Sequence, residues 1–396
     1  MVTVEEAKKL LSENIHLADI VEVNILYALN CVIAEDILSP IDLPSFDQSS
    51  MDGYAINSGT DLNHNQFEIV GEIKAGDDST IVLKPGQSVR IFTGASVPQS
   101  VNSIIVQEKV EEKNGLLFLH EKIKHGDCIR KKGTQILKGE IALKKLTILN
   151  PASIGFITSL GIDKVKIFRK PNVSIIVTGN EIIAVGEELT NGKVFESNSF
   201  SLLSALKQID IEVKNCLKVE DDLEALTLKI NSCLADSDIV LLTGGISVGK
   251  YDFAFEAMKV CGVETIFYKV LQKPGMPVFA GKFGNKIIFA LPGNPASALV
   301  CFYEYVLEAI KQMQGFKNVS LTKVKLKSLN QITKKVGKSI FIRAQIIDGG
   351  VVELEKQDSN MLRSFADADG FIYIDKDVEL VKQNEDVEVH LLPFLK

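Results

Sequence analysis

The sequence predicts a multidomain α/β chain: a central three-layer α/β domain flanked by two smaller β domains. Three observations predict it. Apolar, buried-type runs end in tight polar turns at Val173-Ser-Ile-Ile-Val-Thr-Gly-Asn-Glu181, Asp238-Ile-Val-Leu-Leu-Thr-Gly-Gly-Ile-Ser-Val-Gly249 and Ile287-Ile-Phe-Ala-Leu-Pro-Gly-Asn-Pro-Ala-Ser-Ala-Leu299. Such strands suit one parallel sheet covered on both faces, whose carboxyl edge is the ligand side of open α/β folds. Between them lie segments with helical spacing of apolar residues, and on either side lie short strands separated by glycine turns.

In chain order, Thr3 with Glu6 three positions on makes a capping box for a helix over residues 3–12. A second short helix is expected over Ile25–Leu29. Asp42-Leu-Pro-Ser-Phe-Asp-Gln-Ser-Ser-Met-Asp-Gly-Tyr-Ala55 is loop chemistry. From Phe67 to Leu146, turns such as Ala75-Gly-Asp-Asp, Lys84-Pro-Gly-Gln and Lys113-Asn-Gly punctuate a small β domain. Pro151–Leu160 reads as a helix, and Arg169-Lys-Pro-Asn172 as a linker. The alternation that follows gives strand 173–178, helix 198–209 capped by Asn198, strand 211–217, and a helix capped by Asp221 or Asp222. It continues with strand 238–242, helix 253–261, strands 263–269 and 286–291, and helix 295–312. Residues 316–396 revert to alternating strands, such as Val324-Lys-Leu-Lys and Val387-Glu-Val-His-Leu-Leu.

With 396 residues the chain is long enough for roughly two to four domains. A content of 46% hydrophobic and 24% charged residues is that of a globular protein. The net charge of −7 argues against a general nucleic-acid binder, whose affinity rests on phosphate neutralisation. The six cysteines form no CxxC pair and mostly sit in apolar runs, as reduced core residues of a cytoplasmic protein would. The five histidines lack metal-ligand spacing. The N-terminus does not read as a signal peptide, and no run of about 18 apolar residues points to a membrane span.

Chemistry concentrates at the strand ends. Asn294 and Pro295 suit the N-cap and first turn of a helix, whose free N–H groups and dipole favour an anion; an ordinary strand-to-helix corner has the same sequence. Gly244-Gly-Ile-Ser-Val-Gly249 can present successive N–H groups to an anion, with the Ser247 hydroxyl beside them. Lys273-Pro-Gly-Met-Pro277 is a rigid loop carrying one lysine, fit for phosphate contact or for plain solvent. Glu181, Glu196, Asp221 or Asp222, and Asp252 each follow a strand end; converging on phosphate-binding loops, such carboxylates mean Mg²⁺. Asp52 precedes a glycine in a polar loop, and its spacing alone gives it a structural role. Thr93-Gly-Ala95 ends a strand of the first β domain, and Arg130-Lys-Lys-Gly133 is a basic turn.

Taken in order, Phe46-Asp-Gln-Ser-Ser-Met-Asp-Gly-Tyr-Ala55, Thr93-Gly-Ala95, Arg130-Lys-Lys-Gly133, Val177-Thr-Gly-Asn-Glu181, Glu196-Ser-Asn198, Gly244–Gly249 with Tyr251-Asp252, Lys273-Pro-Gly275 and Leu291-Pro-Gly-Asn-Pro-Ala-Ser-Ala298 resemble the molybdopterin molybdenumtransferases. These are the molybdenum-inserting enzymes of molybdenum cofactor biosynthesis, related to the E domain of gephyrin. The resemblance spans the whole chain. It implies a helical linker domain from residues 1–42 and 147–170, a β domain over 43–146, a molybdopterin-binding α/β domain over 171–315 and a C-terminal β barrel over 316–396. It also implies a homodimer with a cleft shared between subunits, where adenylylated molybdopterin and molybdate react with Mg²⁺-dependent release of AMP. The molybdopterin adenylyltransferase is an implied partner. Functional positions of the family fall on Asp52, Thr93, Glu181, Asp221, Asp252, Pro292 and Pro295, with Glu181, Asp221 and Asp252 as the Mg²⁺ ligands. Substrate contacts fall on Ser197, Asn198, Gly244, Gly245, Ser247, Lys273, Pro274, Gly275, Gly293, Asn294 and Ser297.

The chain departs from the family's pattern where Thr134-Gln135 replaces an acidic pair, Asn180 and Glu196 replace Asp, Lys250 replaces Glu and Met276 replaces Lys. Those departures keep two other functions in play: a non-catalytic molybdopterin-binding or scaffolding paralogue, and an α/β enzyme acting on another nucleotide anhydride. The presence of both Asp52 and Asp252 favours the enzyme.

Overall fold

In the computed structural model the described residues are 1–61, 63–78, 80–122, 124–245 and 253–393. The chain divides into two compact units, Met1–Val21 with Ile167–Lys396, and Glu22–Lys166.

The larger unit is built on a six-stranded sheet in the order Val213–Val219, Val173–Thr178, Ile239–Thr243, Lys286–Leu291, Phe279–Phe283, Glu264–Tyr268. The first four strands are mutually parallel, and Phe279–Phe283 runs against its two neighbours. The sheet is therefore mixed rather than wholly parallel. The strand that spacing alone does not reveal, Phe279–Phe283, forms a hairpin with Lys286–Leu291 around Gly284 at φ +59°. Side chains alternate between two cores, as a strand's period of two requires. Ile175, Val177, Ile239 and Leu241 pack with Leu202, Leu206 and Tyr305 on one face, and Ile176, Val240 and Leu242 with Leu226, Ile230 and Met258 on the other. That double burial makes these strands continuously apolar.

Local signals set the helices. Thr3 and Glu6 form the reciprocal capping box of Val4–Glu13, and Asp222, not Asp221, accepts the Ala225 N–H to cap Leu223–Asp236. Helix Asn198–Gln208 differs from expectation: Asn198 lies inside it, and Glu196 accepts the Ser199 N–H at 2.8 Å. The helix expected over 295–312 runs as Pro295–Cys301, a π-helical turn Phe302–Val306, and Leu307–Met313. At that turn the Leu307 N–H reaches back five residues to the Phe302 carbonyl.

Toward the C-terminus, Thr322–Ser328, Ser339–Ile347, Gly350–Glu353, Gly370–Ile374 and Asp386–Leu391 close into a five-stranded barrel. Ile342, Val351, Ile372 and Val389 fill its interior.

The smaller unit centres on a six-stranded sheet in the order Ser103–Val106, Gly53–Asn57, Gln87–Ile91, Gln66–Ile73, Leu116–Leu119, Val110–Lys113. Strand Gly53–Asn57 sends Tyr54 and Ile56 to one cluster and Ala55 to another. Pro151–Ser159 is helical as expected, whereas the helix expected over Ile25–Leu29 is a single 3-10 turn, Ile25–Tyr27. Among the described residues no disulfide forms, and Cys216 is exposed, against the expectation of a buried set. Among the described residues no helix is long and apolar enough to cross a membrane.

Candidate functional site

Strands Val173–Thr178, Ile239–Thr243 and Lys286–Leu291 end together, and a crevice of about 680 Å³ opens beyond their carboxyl ends. Thr178, Glu181, Ser197, Asn198, Gly244, Gly245, Pro292, Gly293, Asn294 and Pro295 line it, with Met276 and Pro277 as an apolar wall. Sequence-predicted residues from four separate segments thus share one cavity.

Backbone forms much of its floor. Gly244 and Gly245 adopt left-handed φ of +92° and +61°. A Cβ on Gly244 would lie 2.0 Å from the Thr178 carbonyl oxygen, so only glycine lets the two strand ends meet. Asn198 ties the rim together: its Nδ2 donates to Thr243 Oγ1 and to the Gly293 carbonyl, each at 2.8 Å.

The carboxylates differ in what holds them. Asp221 accepts a short hydrogen bond from the Thr178 hydroxyl and lies beside Gly245. Glu181 is exposed on the crevice wall, its oxygens close to Gly179. Glu196 is engaged in capping the helix that starts at Asn198. Among the described residues no cluster of three metal-ligating side chains occurs. Ser247, Lys250 and Asp252 lie outside the described residues, so the expected triad of Glu181, Asp221 and Asp252 is represented here by two members.

The helix start at Pro295 is not the open anion turn that its sequence suggests. The N–H groups of Ala296 and Ser297 donate to the Ser359 carbonyl at 3.1 and 3.2 Å, and Asn294 donates through Nδ2 to Ser359 Oγ at 2.9 Å instead of capping. Ser297 is 2% exposed. A loop near the C-terminus therefore occupies the amides expected to meet a ligand. Ser359 and its neighbour Asn360, which reaches the crevice, were missed because nothing in their polar loop marks a contact with residues 294–297.

Lys273 and Pro274 face elsewhere. They line a second cavity of about 720 Å³ beside the barrel, with Ile332, Lys334, Lys335, Lys338 and Ile340. Gly275 is buried at φ +88°. The loop therefore separates two cavities, with Lys273 on one side and Met276 on the other.

The smaller unit carries its own pair. Asp52 Oδ1 accepts both the N–H and the hydroxyl of Thr93, each at 2.8 Å. The backbone N–H bond, then the hydroxyl, holds the Asp52 carboxyl below the usual range, so this exposed acid stays ionised. Asp47 organises the basic turn, accepting from Lys131 Nζ and the Lys132 N–H at 2.8 Å.

Comparison with known proteins matches these parts. Residues 2–161 match the family described as MoeA N-terminal region (domain I and II), 181–312 a probable molybdopterin binding domain, and 325–392 the MoeA C-terminal region (domain IV). A molybdopterin molybdenumtransferase of Haemophilus influenzae is 31% identical, with 100% of this chain and 99% of that protein covered. One from Staphylococcus epidermidis is 32% identical over 80% of this chain and 77% of its own length. The crystal structure of a molybdopterin biosynthesis MoeA protein from Pyrococcus horikosii superposes with a TM-score of 0.85 at 30% identity, covering 99% of both chains. Fold, order of parts and full-length similarity agree: the chain is a transferase and belongs to the molybdopterin molybdenumtransferase family.

Proposed function

We propose that this chain inserts molybdenum from molybdate into adenylylated molybdopterin, with cleavage of the phosphoanhydride and Mg²⁺-dependent release of AMP. The observation that carries the proposal is the crevice itself, where glycine backbone at Gly244, Gly245 and Gly293 shares the lining with Glu181, and Asp221 is held by the Thr178 hydroxyl beside Gly245. Backbone that approaches this closely suits phosphate, and the carboxylate oxygens suit a hard cation that keeps several waters. Glu181 and Asp221, together with Asp252, would hold Mg²⁺; when bound, the ion neutralises phosphate charge and polarises the anhydride. Ser197, Asn198, Pro292, Asn294 and Pro295 shape the rim around the pterin, and Met276 with Pro277 covers its apolar side. Lys273, on the barrel side of the loop, would offer its ammonium to an oxyanion held in that neighbouring cavity. Ser297 lies outside this rim, its amide donating to the Ser359 carbonyl.

The four subdomains follow the boundaries at 42/43, 146/147, 170/171 and 315/316. We propose a cytoplasmic homodimer in which each cleft combines the crevice with the partner subunit's Asp52 and Thr93, and which receives its substrate from the molybdopterin adenylyltransferase.

The test is AMP release from adenylylated molybdopterin with molybdate and Mg²⁺. Asp52→Ala and Asp221→Ala chains should each be inactive alone. Mixed, they should regain activity through the one cleft per heterodimer that keeps both acids. Confirmed heterodimers without recovery would overturn the shared cleft, and wild-type protein that releases no AMP would overturn the reaction.

A further inference from the structure

The loop that parts the two cavities rests on buried polar side chains that the proposed reaction does not use. Gln272 is 1% exposed, and Cys301 and Tyr305 are 0% exposed. Tyr305, in the π-helical turn, donates its hydroxyl to Gln272 Oε1. That bond sets which way the amide faces, so Gln272 Nε2 donates to the Pro274 carbonyl at 2.9 Å. Cys301 Sγ lies 3.7 Å from the same Nε2 and 3.6 Å from the Gly275 carbonyl oxygen, to which it donates. A Cβ on Gly275 would lie 2.5 Å from that sulfur, so the loop sits directly on the helix.

We infer that Tyr305, Gln272 and Cys301 are positioning residues that fix the Lys273–Pro277 loop, and with it the Lys273 ammonium, through the Pro274 and Gly275 carbonyls. This rests on the function proposed above, in which Lys273 meets the oxyanion. The π turn supports it: such turns recur at functional sites, and this one places the phenol under Gln272. Lys273, next in sequence, pairs with Ile340 on the barrel edge, so loop and barrel cavity share one register.

Tyr305→Phe removes the hydroxyl and keeps the ring. It should lower kcat/KM for molybdate about tenfold through KM, with kcat changed less, as a displaced contact does. Gln272→Met, of similar length without the amide, should reproduce the loss, and amide exchange over 274–277 should quicken in both. The Tyr305→Phe/Lys273→Ala double variant should be no worse than Lys273→Ala alone, a coupling that general loosening of the core would not give. Multiplying losses in the double variant, or wild-type exchange over 274–277 in Tyr305→Phe, would overturn the positioning set. Wild-type kinetics in Lys273→Ala would instead overturn the role given to Lys273.

Discussion

The helix that runs from Pro295 to Met313 meets polar chemistry of two kinds. At its start, the crevice holds an exposed Glu181 and left-handed glycines, with side chains that face an open cavity. At its middle and end, Glu304 and Glu308 are buried against Lys8 and His390, each charge answered by another. Lys8 Nζ lies 2.6 Å from Glu304 and 2.8 Å from Glu308, and His390 bridges Glu304 at 2.7 Å to Glu388 at 2.8 Å. A group buried with its partners in place stabilises the fold, whereas one left open at a strand end is available to a ligand. Substitutions in the crevice should cost turnover, and those in the buried cluster should cost stability.

The largest effect is expected in the buried cluster. Lys8→Met leaves Glu304 and Glu308 without their shared cation and should destabilise the protein by about 3–5 kcal/mol in urea unfolding. pH sharpens the point. Burial works to raise the Glu304 carboxyl, but Lys8 and His390 overcome it and hold it at about 2, below its ordinary 4.5. A depressed carboxylate stabilises the fold fully above its unfolded value and loses that contribution as pH falls through its folded value. Wild-type stability should therefore decline between about pH 4.5 and 2, and this acid decline should be smaller in Lys8→Met, where the Glu304 carboxyl is held down less. A variant as stable as wild type at pH 7, with the same acid limb, would break the comparison.

Gly244→Ala probes the crevice. The new methyl group would meet the Thr178 carbonyl, and φ of +92° is strained for alanine. Strain of this kind costs about 1–3 kcal/mol, less than loss of Lys8. AMP release should fall more than that loss of stability explains, because the strand ends proposed to face the phosphates must part. Retained turnover with lowered stability would assign the glycines to packing alone.

What was legible in the chain was what neighbours in sequence decide. The Thr3–Glu6 box and strands Val173–Thr178 and Lys286–Leu291 follow from spacing and caps, and appear where spacing puts them. The convergence of Glu181, Asn198, Gly244 and Asn294 was legible because strand ends of one sheet must gather. The rest depends on distant partners. Glu304 finds Lys8 across 296 residues, and Ser359 reaches the helix start from the far end of the unit. Asn198 has the sequence of a cap, yet the neighbouring Glu196 takes that role and frees Asn198 to bind Thr243 and Gly293. Phe279–Phe283 is too short to declare itself without its hairpin partner.

The smallest effect is expected at Asn180, and it tests the crevice from the opposite direction, by adding charge. Asn180 is exposed just past Val173–Thr178, next to Glu181, and its carbonyl accepts from Lys193 Nζ. Relatives of the family commonly carry Asp there, so this chain offers the proposed Mg²⁺ one negative charge fewer. Asn180→Asp should strengthen attraction for the cation, while repulsion from Glu181 and Asp221 opposes the new charge until the metal binds. Because the residue is solvated, the net gain should be small, about 0.2–1 kcal/mol or severalfold at most. The Mg²⁺ concentration for half-maximal AMP release should fall by that factor, and the gain should shrink as salt is raised. An unchanged requirement at low salt, with Asp221→Ala equally indifferent to Mg²⁺, would remove the metal from this crevice and leave its carboxylates to be explained by the fold.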